Sequence, residues 1–96
     1  MSLFVVRHQH AAETCPAGHP QMGPMLLQHL SKPNAEQFGI DIRSEAVIDG
    51  QHTLYLIAEA DDAGKLESFM SPFAQAGSVE VLPASPCEQV VARAAC

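Results

Sequence analysis

The sequence has no tryptophan, a single tyrosine and few charged residues, which make up 17% of its 96 positions. Basic residues are especially scarce, because five Lys and Arg stand against eleven Asp and Glu, for a formal net charge of −6. A protein that binds the nucleic-acid backbone needs a basic face, so we expect no nucleic-acid partner. No apolar run approaches the roughly 20 residues that span a bilayer, so we also expect no membrane span.

Cysteine is sparse and odd in number, with thiols at Cys15, Cys87 and Cys96. An odd count does not make a closed disulfide framework, and the N-terminus lacks the basic stretch and the cleavage site of a secretory signal. We therefore predict a cytoplasmic protein with reduced thiols. A disulfide between two of the three cysteines is the alternative that the sequence leaves open.

Apolar residues, by contrast, make up 47% of the chain, which is too large a share for a disordered protein. A chain of 96 residues has the size of one domain, so we predict a single domain over residues 1–96. Such a domain buries roughly 64% of its extended surface, enough for one modest core that dimerisation would enlarge.

Hydrophobic periodicity predicts four strands, at residues 3–10, 40–49, 52–60 and 78–82. Residues 40–49 alternate in polarity, which is typical of a strand with one covered face. Residues 52–60 are apolar enough for a central strand. The segment Asp49-Gly50-Gln51 lies between these two strands and predicts a tight hairpin turn.

Two helices are predicted between the strands. The first starts at Met25, is interrupted at residues 31–34 and ends at Gly39. The second follows Asp61 or Asp62, either of which could cap it. Four apolar side chains recur on one face of this second helix with the helical period: Leu66, Phe69, Met70 and Phe73. We expect Pro72 to kink or shorten the helix.

The predicted order of elements is β-α-β-β-α-β, followed by a C-terminal tail at residues 84–96 that the sequence leaves open between helix and strand. This order is that of an α+β, ferredoxin-like fold, in which two helices cover one face of a four-stranded antiparallel sheet. The other face then needs a cover, and we expect a second copy of the chain to provide it in a homodimer.

Residues 52–83 resemble small uncharacterised bacterial domains of the dimeric α/β-barrel superfamily. The resemblance rests on a strand that ends Glu59-Ala60-Asp61, the helix over residues 66–73 and a final strand with Val79-Glu80-Val81. It implies a homodimer whose two sheets face each other around a barrel cavity. Members of that superfamily include monooxygenases, isomerases, haem-handling enzymes and metal-binding proteins. None of their catalytic motifs aligns here, so the resemblance implies no site residue.

Histidine and cysteine are concentrated near the N-terminus, at His8, His10, Cys15 and His19. His8 and His10 share one face of the predicted first strand, because strand residues two apart point the same way. Imidazole and thiolate ligands suit Zn²⁺, Cu and Ni²⁺, so the cluster predicts a transition-metal site. Two further thiols could fold back from the tail as additional ligands: Cys87 and Cys96.

The same histidines allow two other interpretations. In a dimeric α/β-barrel enzyme acting on a small organic molecule in the barrel cavity, His8 or His10 would be the general base, oriented by Glu45 or Glu59. In a structural or regulatory subunit without chemistry of its own, the two imidazoles would only end a strand and hydrogen-bond to these carboxylates.

The orientation of the first strand decides what surrounds its imidazoles. If Leu3 and Val5 face the helices, His8 and His10 project into the barrel cavity. Burying an imidazole costs free energy unless the group is paired, so we expect a metal or a carboxylate as its partner. The other two histidines are isolated in the sequence, and for them we expect solvation or an ordinary hydrogen bond: His29 and His52.

Overall fold

Four strands pair into one antiparallel sheet in the computed structural model, which describes residues 1–96. The strands are β1 (Ser2–His10), β2 (Asp41–Ile48), β3 (Thr53–Ala60) and β4 (Gly77–Ala84). Their order across the sheet is β2-β3-β1-β4, so β1 and β3 are central and β2 and β4 form the edges. This order is compatible with a ferredoxin-like fold, and the predicted α+β class with a four-stranded antiparallel sheet is confirmed.

Five short helices complete the chain: α1 (Met22–His29), α2 (Lys32–Gln37), α3 (Ala63–Phe69), α4 (Ser71–Ala74) and α5 (Cys87–Arg93). A 3₁₀ turn at Ala12–Thr14 precedes α1. None of the five helices combines the length and the apolarity that crossing a lipid bilayer requires. The two predicted helices are thus four, and the tail is helical where the sequence left helix and strand open.

A proline lies just after the break between α1 and α2, and another lies just after the break between α3 and α4. Pro33 lies in the first turn of α2 and Pro72 in the first turn of α4. Backbone N–H groups in a first turn have no intrahelical partner, so proline costs no hydrogen bond there. The predicted shortening at Pro72 is confirmed. The predicted interruption at residues 31–34 is too long, because α2 already begins at Lys32 and accommodates its proline.

A glycine and a proline account for the turn between β2 and β3 and for the composition of β4 near its end. The predicted hairpin turn joins β2 to β3, and Gly50 adopts a φ of 74° there, a conformation that glycine reaches without strain. β4 is longer than the predicted residues 78–82 and continues through Pro83. A proline is tolerated because β4 is an edge strand, whose outer N–H groups need no partner strand.

The core lies between one face of the sheet and the helices. The predicted apolar stripe of the second helix is confirmed, since its four side chains are all buried: Leu66, Phe69, Met70 and Phe73. The sheet contributes buried residues from both central strands: Phe4, Val6, Leu54, Leu56, Ala58 and Ala60. His8 belongs to the same face and is only 2% exposed.

β1 does not have the orientation that would direct His8 and His10 into a barrel cavity. Phe4, Val6 and His8 face the helices, whereas Leu3 and Val5 lie on the opposite face of the strand. Both faces of β1 are apolar, so β1 alone does not decide its orientation. The neighbouring strand β3 determines the orientation of β1. Leu56 and Ala58 of β3 pair with Val6 and Phe4, and all four side chains enter the core.

The opposite face of the sheet is left exposed. Ile57 of β3 and Leu82 of β4 pair with Val5 from its two sides and form an apolar strip across three strands. Ile57 and Leu82 keep 43% and 44% of their surface exposed. Two ion pairs lie on the same face: Arg7–Glu80 at 3.0 Å and Arg43–Glu59 at 3.1 Å.

Candidate functional site

A pocket of about 440 Å³ opens between the helix side of the sheet and α1. The end of β1, the end of β2 and the start of β3 form one wall, with His8 and His10 among its side chains. Leu26 and Leu27 of α1, Leu30 just after that helix and the loop at residues 15–17 form the other wall. The imidazoles that the sequence singled out thus border a cavity, but this cavity lies on the helix side of the sheet.

His8 connects the sheet to the pocket through two contacts. Its Nδ1 lies 2.9 Å from the carbonyl oxygen of Ser78 in the neighbouring strand β4. Its Nε2 lies 3.4 Å from Nδ1 of His10. The ring also packs edge-on against Phe73, with 5.2 Å between the ring centroids. His8 is therefore held in place by strand, helix and neighbouring imidazole together.

These contacts fix the tautomers of both imidazoles. A carbonyl oxygen only accepts hydrogen bonds, so Nδ1 of His8 donates to Ser78 and Nε2 of a neutral His8 is left as an acceptor. Nδ1 of His10 then donates to that acceptor. Nε2 of His10 consequently carries a lone pair, and this nitrogen is buried and has no hydrogen-bond partner.

Three side chains meet at this end of the pocket. His10, Cys15 and His52 each offer one donor atom, and the three atoms all lie within 4.8 Å of one another. The rings of His10 and His52 are 5.1 Å apart between centroids and are nearly perpendicular. All three residues are half-buried. We refer to them as the His-Cys-His group.

Three different segments supply the His-Cys-His group. His10 is the last residue of β1, and Cys15 follows the 3₁₀ turn, where its N–H donates to the carbonyl of Ala12 at 3.3 Å. His52 precedes β3, and its carbonyl accepts the N–H of His10 at 3.1 Å. The backbone of His52 has a φ of 50°, a left-handed conformation uncommon for residues other than glycine and frequent at functional sites.

The environment lowers the pKa of both strand histidines. Burial lowers the pKa of His8, against an opposing effect of its hydrogen bond to Ser78, and the charge of a protonated His10 lowers it further. Burial also lowers the pKa of His10, and the nearby imidazole of His52 adds to the effect. Both rings are therefore neutral at neutral pH, the form that binds a metal ion or accepts a proton.

Only two of the six predicted metal ligands belong to the group, namely His10 and Cys15. His8 lies behind His10 and orients it, with both of its nitrogens already engaged. His19 is exposed, and its Nδ1 accepts hydrogen bonds from the N–H groups of Gln21 and Met22 at 3.1 and 3.0 Å. His19 thus satisfies the backbone at the start of α1.

The two tail cysteines lie outside the group. Cys87 begins α5, Cys96 is the last residue of the sequence, and both thiols are exposed. All three cysteines are unpaired in the structure. The tail does not fold back onto the pocket, since no residue beyond Phe73 lines it, and α5 contains no buried residue.

The carboxylates expected beside the imidazoles have other roles. Glu59 lies on the opposite face of the sheet and forms its ion pair with Arg43. Glu45 borders the pocket but forms no hydrogen bond to an imidazole. The orienting acceptor is the carbonyl of Ser78, which the sequence could not reveal because every residue has a carbonyl.

His52 is the residue that sequence reasoning missed. The expectation for His52 was solvation or an ordinary hydrogen bond, and the structure instead brings its side chain close to those of His10 and Cys15. For His29 the same expectation is confirmed, because its Nε2 donates to the carbonyl of Phe69 at 2.6 Å. The strand order of a ferredoxin-like fold does indicate that His52 lies near His10. In an antiparallel pair of β1 and β3, the end of β1 lies beside the start of β3, which places His52 next to His10.

Residues 4–95 match the family described as Domain of unknown function (DUF3303). The match covers nearly the whole chain, so the chain belongs to this family. The comparison with curated proteins gave no match. The likeness to dimeric α/β barrels stays a prediction with which the sheet order is compatible.

Proposed function

We propose that this member of the DUF3303 family binds one transition-metal ion per chain through His10, Cys15 and His52. The observation that carries the proposal is the approach of three donor atoms to within 4.8 Å of one another. A metal ion draws such atoms together, because nitrogen and sulfur ligands lie about 2.0–2.3 Å from Zn²⁺. Two imidazoles and a thiolate are also the ligand types that suit Zn²⁺, Cu and Ni²⁺.

The hydrogen bonds behind His10 support the same proposal. A metal-bound histidine commonly donates its second ring N–H to a fixed acceptor, which sets its tautomer and its orientation. His10 donates to His8 in this way, and His8 donates in turn to the carbonyl of Ser78. The lone pair on Nε2 of His10 is then free of any competing protein donor. We assign His8 to orientation and not to ligation.

Metal analysis of protein purified without a histidine tag tests the proposal. We expect about one equivalent of metal per chain, as in other single-ion sites. The variants Cys15→Ser and His52→Gln should lose it. Cys87→Ser and His19→Gln are matched controls, because they remove the same functional groups outside the His-Cys-His group and should keep the metal. Protein without metal, whose melting temperature does not change on addition of Zn²⁺, Cu²⁺ or Ni²⁺, would refute the proposal.

General-base catalysis on a small organic molecule is a second candidate function. It is favoured by the buried, unpartnered Nε2 of His10 at the border of the pocket and by the lowered pKa of that residue. His10 would take a proton from the substrate, and His8 would orient it. This function needs no ion and no thiol, so it predicts that Cys15→Ser keeps full activity on any substrate found.

A further inference from the structure

The pocket beside the His-Cys-His group has a composition that selects its ligand. We infer that it binds a small, uncharged and predominantly apolar organic molecule, whose single hydroxyl group coordinates the bound metal. The inference rests on the proposed function, since the hydroxyl needs an ion to coordinate. Three protein ligands leave one position of a tetrahedral ion open, which is the arrangement of zinc sites that take a water or a substrate.

Apolar residues are the majority in the lining of the pocket, and the fold of the domain leaves some of them exposed to water. Nine of its seventeen lining residues are hydrophobic, and they come from the sheet, from α1 and α4 and from the segments on either side of α1. Leu27 and Val47 keep 68% and 59% of their surface exposed although both line the pocket. A bound apolar molecule would remove this surface from water, which stabilises the complex. A sugar or a nucleotide would find few hydrogen-bonding partners here.

The charges around the pocket disfavour an anionic ligand. No lysine or arginine lines it, whereas Glu45 and Asp49 both do. The chain as a whole carries a net charge of −6. The bound metal ion is then the one positive charge at the pocket, and the rest of the lining would repel a carboxylate or a phosphate group. An uncharged molecule avoids this repulsion.

The size of the pocket and the position of its donors complete the assignment. A volume of about 440 Å³ lies at the lower end of the range of ligand pockets, so the ligand is small. The imidazole and thiol donors are gathered within 4.8 Å of one another, so one end of the ligand is polar and the rest lies against leucine side chains. A single polar group at one end of an apolar body matches this arrangement.

Absorption spectroscopy of the Co²⁺-loaded chain tests the inference. Benzyl alcohol serves as the probe, and toluene is its matched analogue without the hydroxyl. We expect benzyl alcohol to change the d–d absorption of the bound Co²⁺ and toluene to leave it unchanged. Val47→Phe fills the pocket and should weaken benzyl alcohol binding at least about tenfold, equivalent to about 1.4 kcal/mol. Val91→Phe makes the same change on the exposed surface of α5 and should bind the probe normally.

The outcomes separate this inference from the proposed function. Co²⁺ loading is measured first, and a chain that binds no Co²⁺ refutes the proposed function and the inference together. If Co²⁺ binds but benzyl alcohol leaves its spectrum unchanged, metal binding stands and the inference is wrong. Equal affinity of Val47→Phe and the unchanged chain for benzyl alcohol would also overturn it. Retained Co²⁺ binding by Val47→Phe shows that the variant is folded.

Discussion

At the scale of single residues, the proton positions on two imidazoles determine what the site can bind. His8 takes its orientation from a backbone carbonyl, and His10 takes its own from His8. The acceptor at the start of this series belongs to the main chain of Ser78, so no side-chain substitution there removes it. A substitution of His8 is consequently the way to interrupt the hydrogen bonds that run from His10 through His8 to Ser78.

We expect His8→Phe to weaken metal binding without removing a ligand. The ring volume and the packing on Phe73 are largely kept, but His10 loses its oriented acceptor. Loss of such a supporting hydrogen bond typically reduces metal affinity about 10–100-fold. The carbonyl of Ser78 also loses its imidazole partner, which should lower the free energy of unfolding by about 1–3 kcal/mol. Competition with a chromophoric chelator measures the affinity, and urea unfolding measures the stability.

His29→Phe is the matched control for this experiment. His29 also donates to a backbone carbonyl and stacks on an aromatic ring, but it lies outside the His-Cys-His group. It should lose stability and keep the metal affinity of the unchanged chain. Equal metal affinity of His8→Phe and the unchanged chain would contradict the orienting role of His8.

The sequence identified those site residues that are close together along the chain. His10 and Cys15 were found because a strand end and its loop are local features. His52 was missed because its proximity to His10 depends on strand order. Cys87 and Cys96 were included because residue type alone carries no information on position, and the structure leaves both thiols exposed.

At the scale of elements, the capping of α3 gives a direct test of local stability. The side chain of Asp62 accepts the N–H of Lys65 at 2.9 Å and satisfies one free donor of the first turn. Asp62→Ala should lower the free energy of unfolding by about 1 kcal/mol. Asp61→Ala is the control, because Asp61 contributes only an exposed ion pair worth less than about 1 kcal/mol. An equal loss in both variants, measured by urea unfolding, would contradict the cap.

The start of β4 lies so close to β1 that it requires glycine. A Cβ on Gly77 would collide with the carbonyl oxygen of Gln9 in the paired strand. Gly77→Ala should therefore lower the free energy of unfolding by about 1–3 kcal/mol or more, the typical cost of overpacking. It should also weaken metal binding, since the collision displaces Ser78 and thereby His8.

Gly18→Ala is the control, because no atom lies within 4 Å of the added Cβ. It should change neither the free energy of unfolding nor the metal affinity. Both variants are measured by urea unfolding and by chelator competition. Normal stability of Gly77→Ala would show that the two strands can separate without cost.

Most elements could be predicted from sequence periodicity and breakers. The four strands and the buried stripe of α3 and α4 follow from repeats of two and of about 3.6 residues. The division into α1 and α2 was misplaced because Pro33 reads as a breaker but is tolerated in a first turn. The orientation of β1 was not predictable from β1, since both of its faces are apolar.

At the scale of the whole molecule, we predict that two copies associate through the exposed face of the sheet. The strip formed by Val5, Ile57 and Leu82 is apolar, and a partner would remove it from water. The arginines and glutamates on this face are already paired with one another, so two copies do not repel. An identical face on each copy is the usual basis of a twofold dimer.

Light scattering after size-exclusion chromatography measures this association. The unchanged chain should have the mass of a dimer, and Ile57→Lys should have that of a monomer because a charge would be buried at the interface. Val91→Lys is the control, since Val91 is 77% exposed on α5 and lies outside the strip. A monomeric unchanged chain at high micromolar concentration would contradict the prediction.

The two edge strands restrict how copies of this chain can stack. β4 carries Pro83, which has no N–H to offer an incoming strand, and β2 is bent by a bulge between Ile42 and Ser44. Edges of this kind interrupt the continuous ladder that a growing fibril requires. These edges therefore disfavour open-ended, edge-to-edge polymerisation, although one face of the sheet exposes apolar side chains. We predict that removing the proline and the bulge together allows copies of this chain to add edge to edge into a filament.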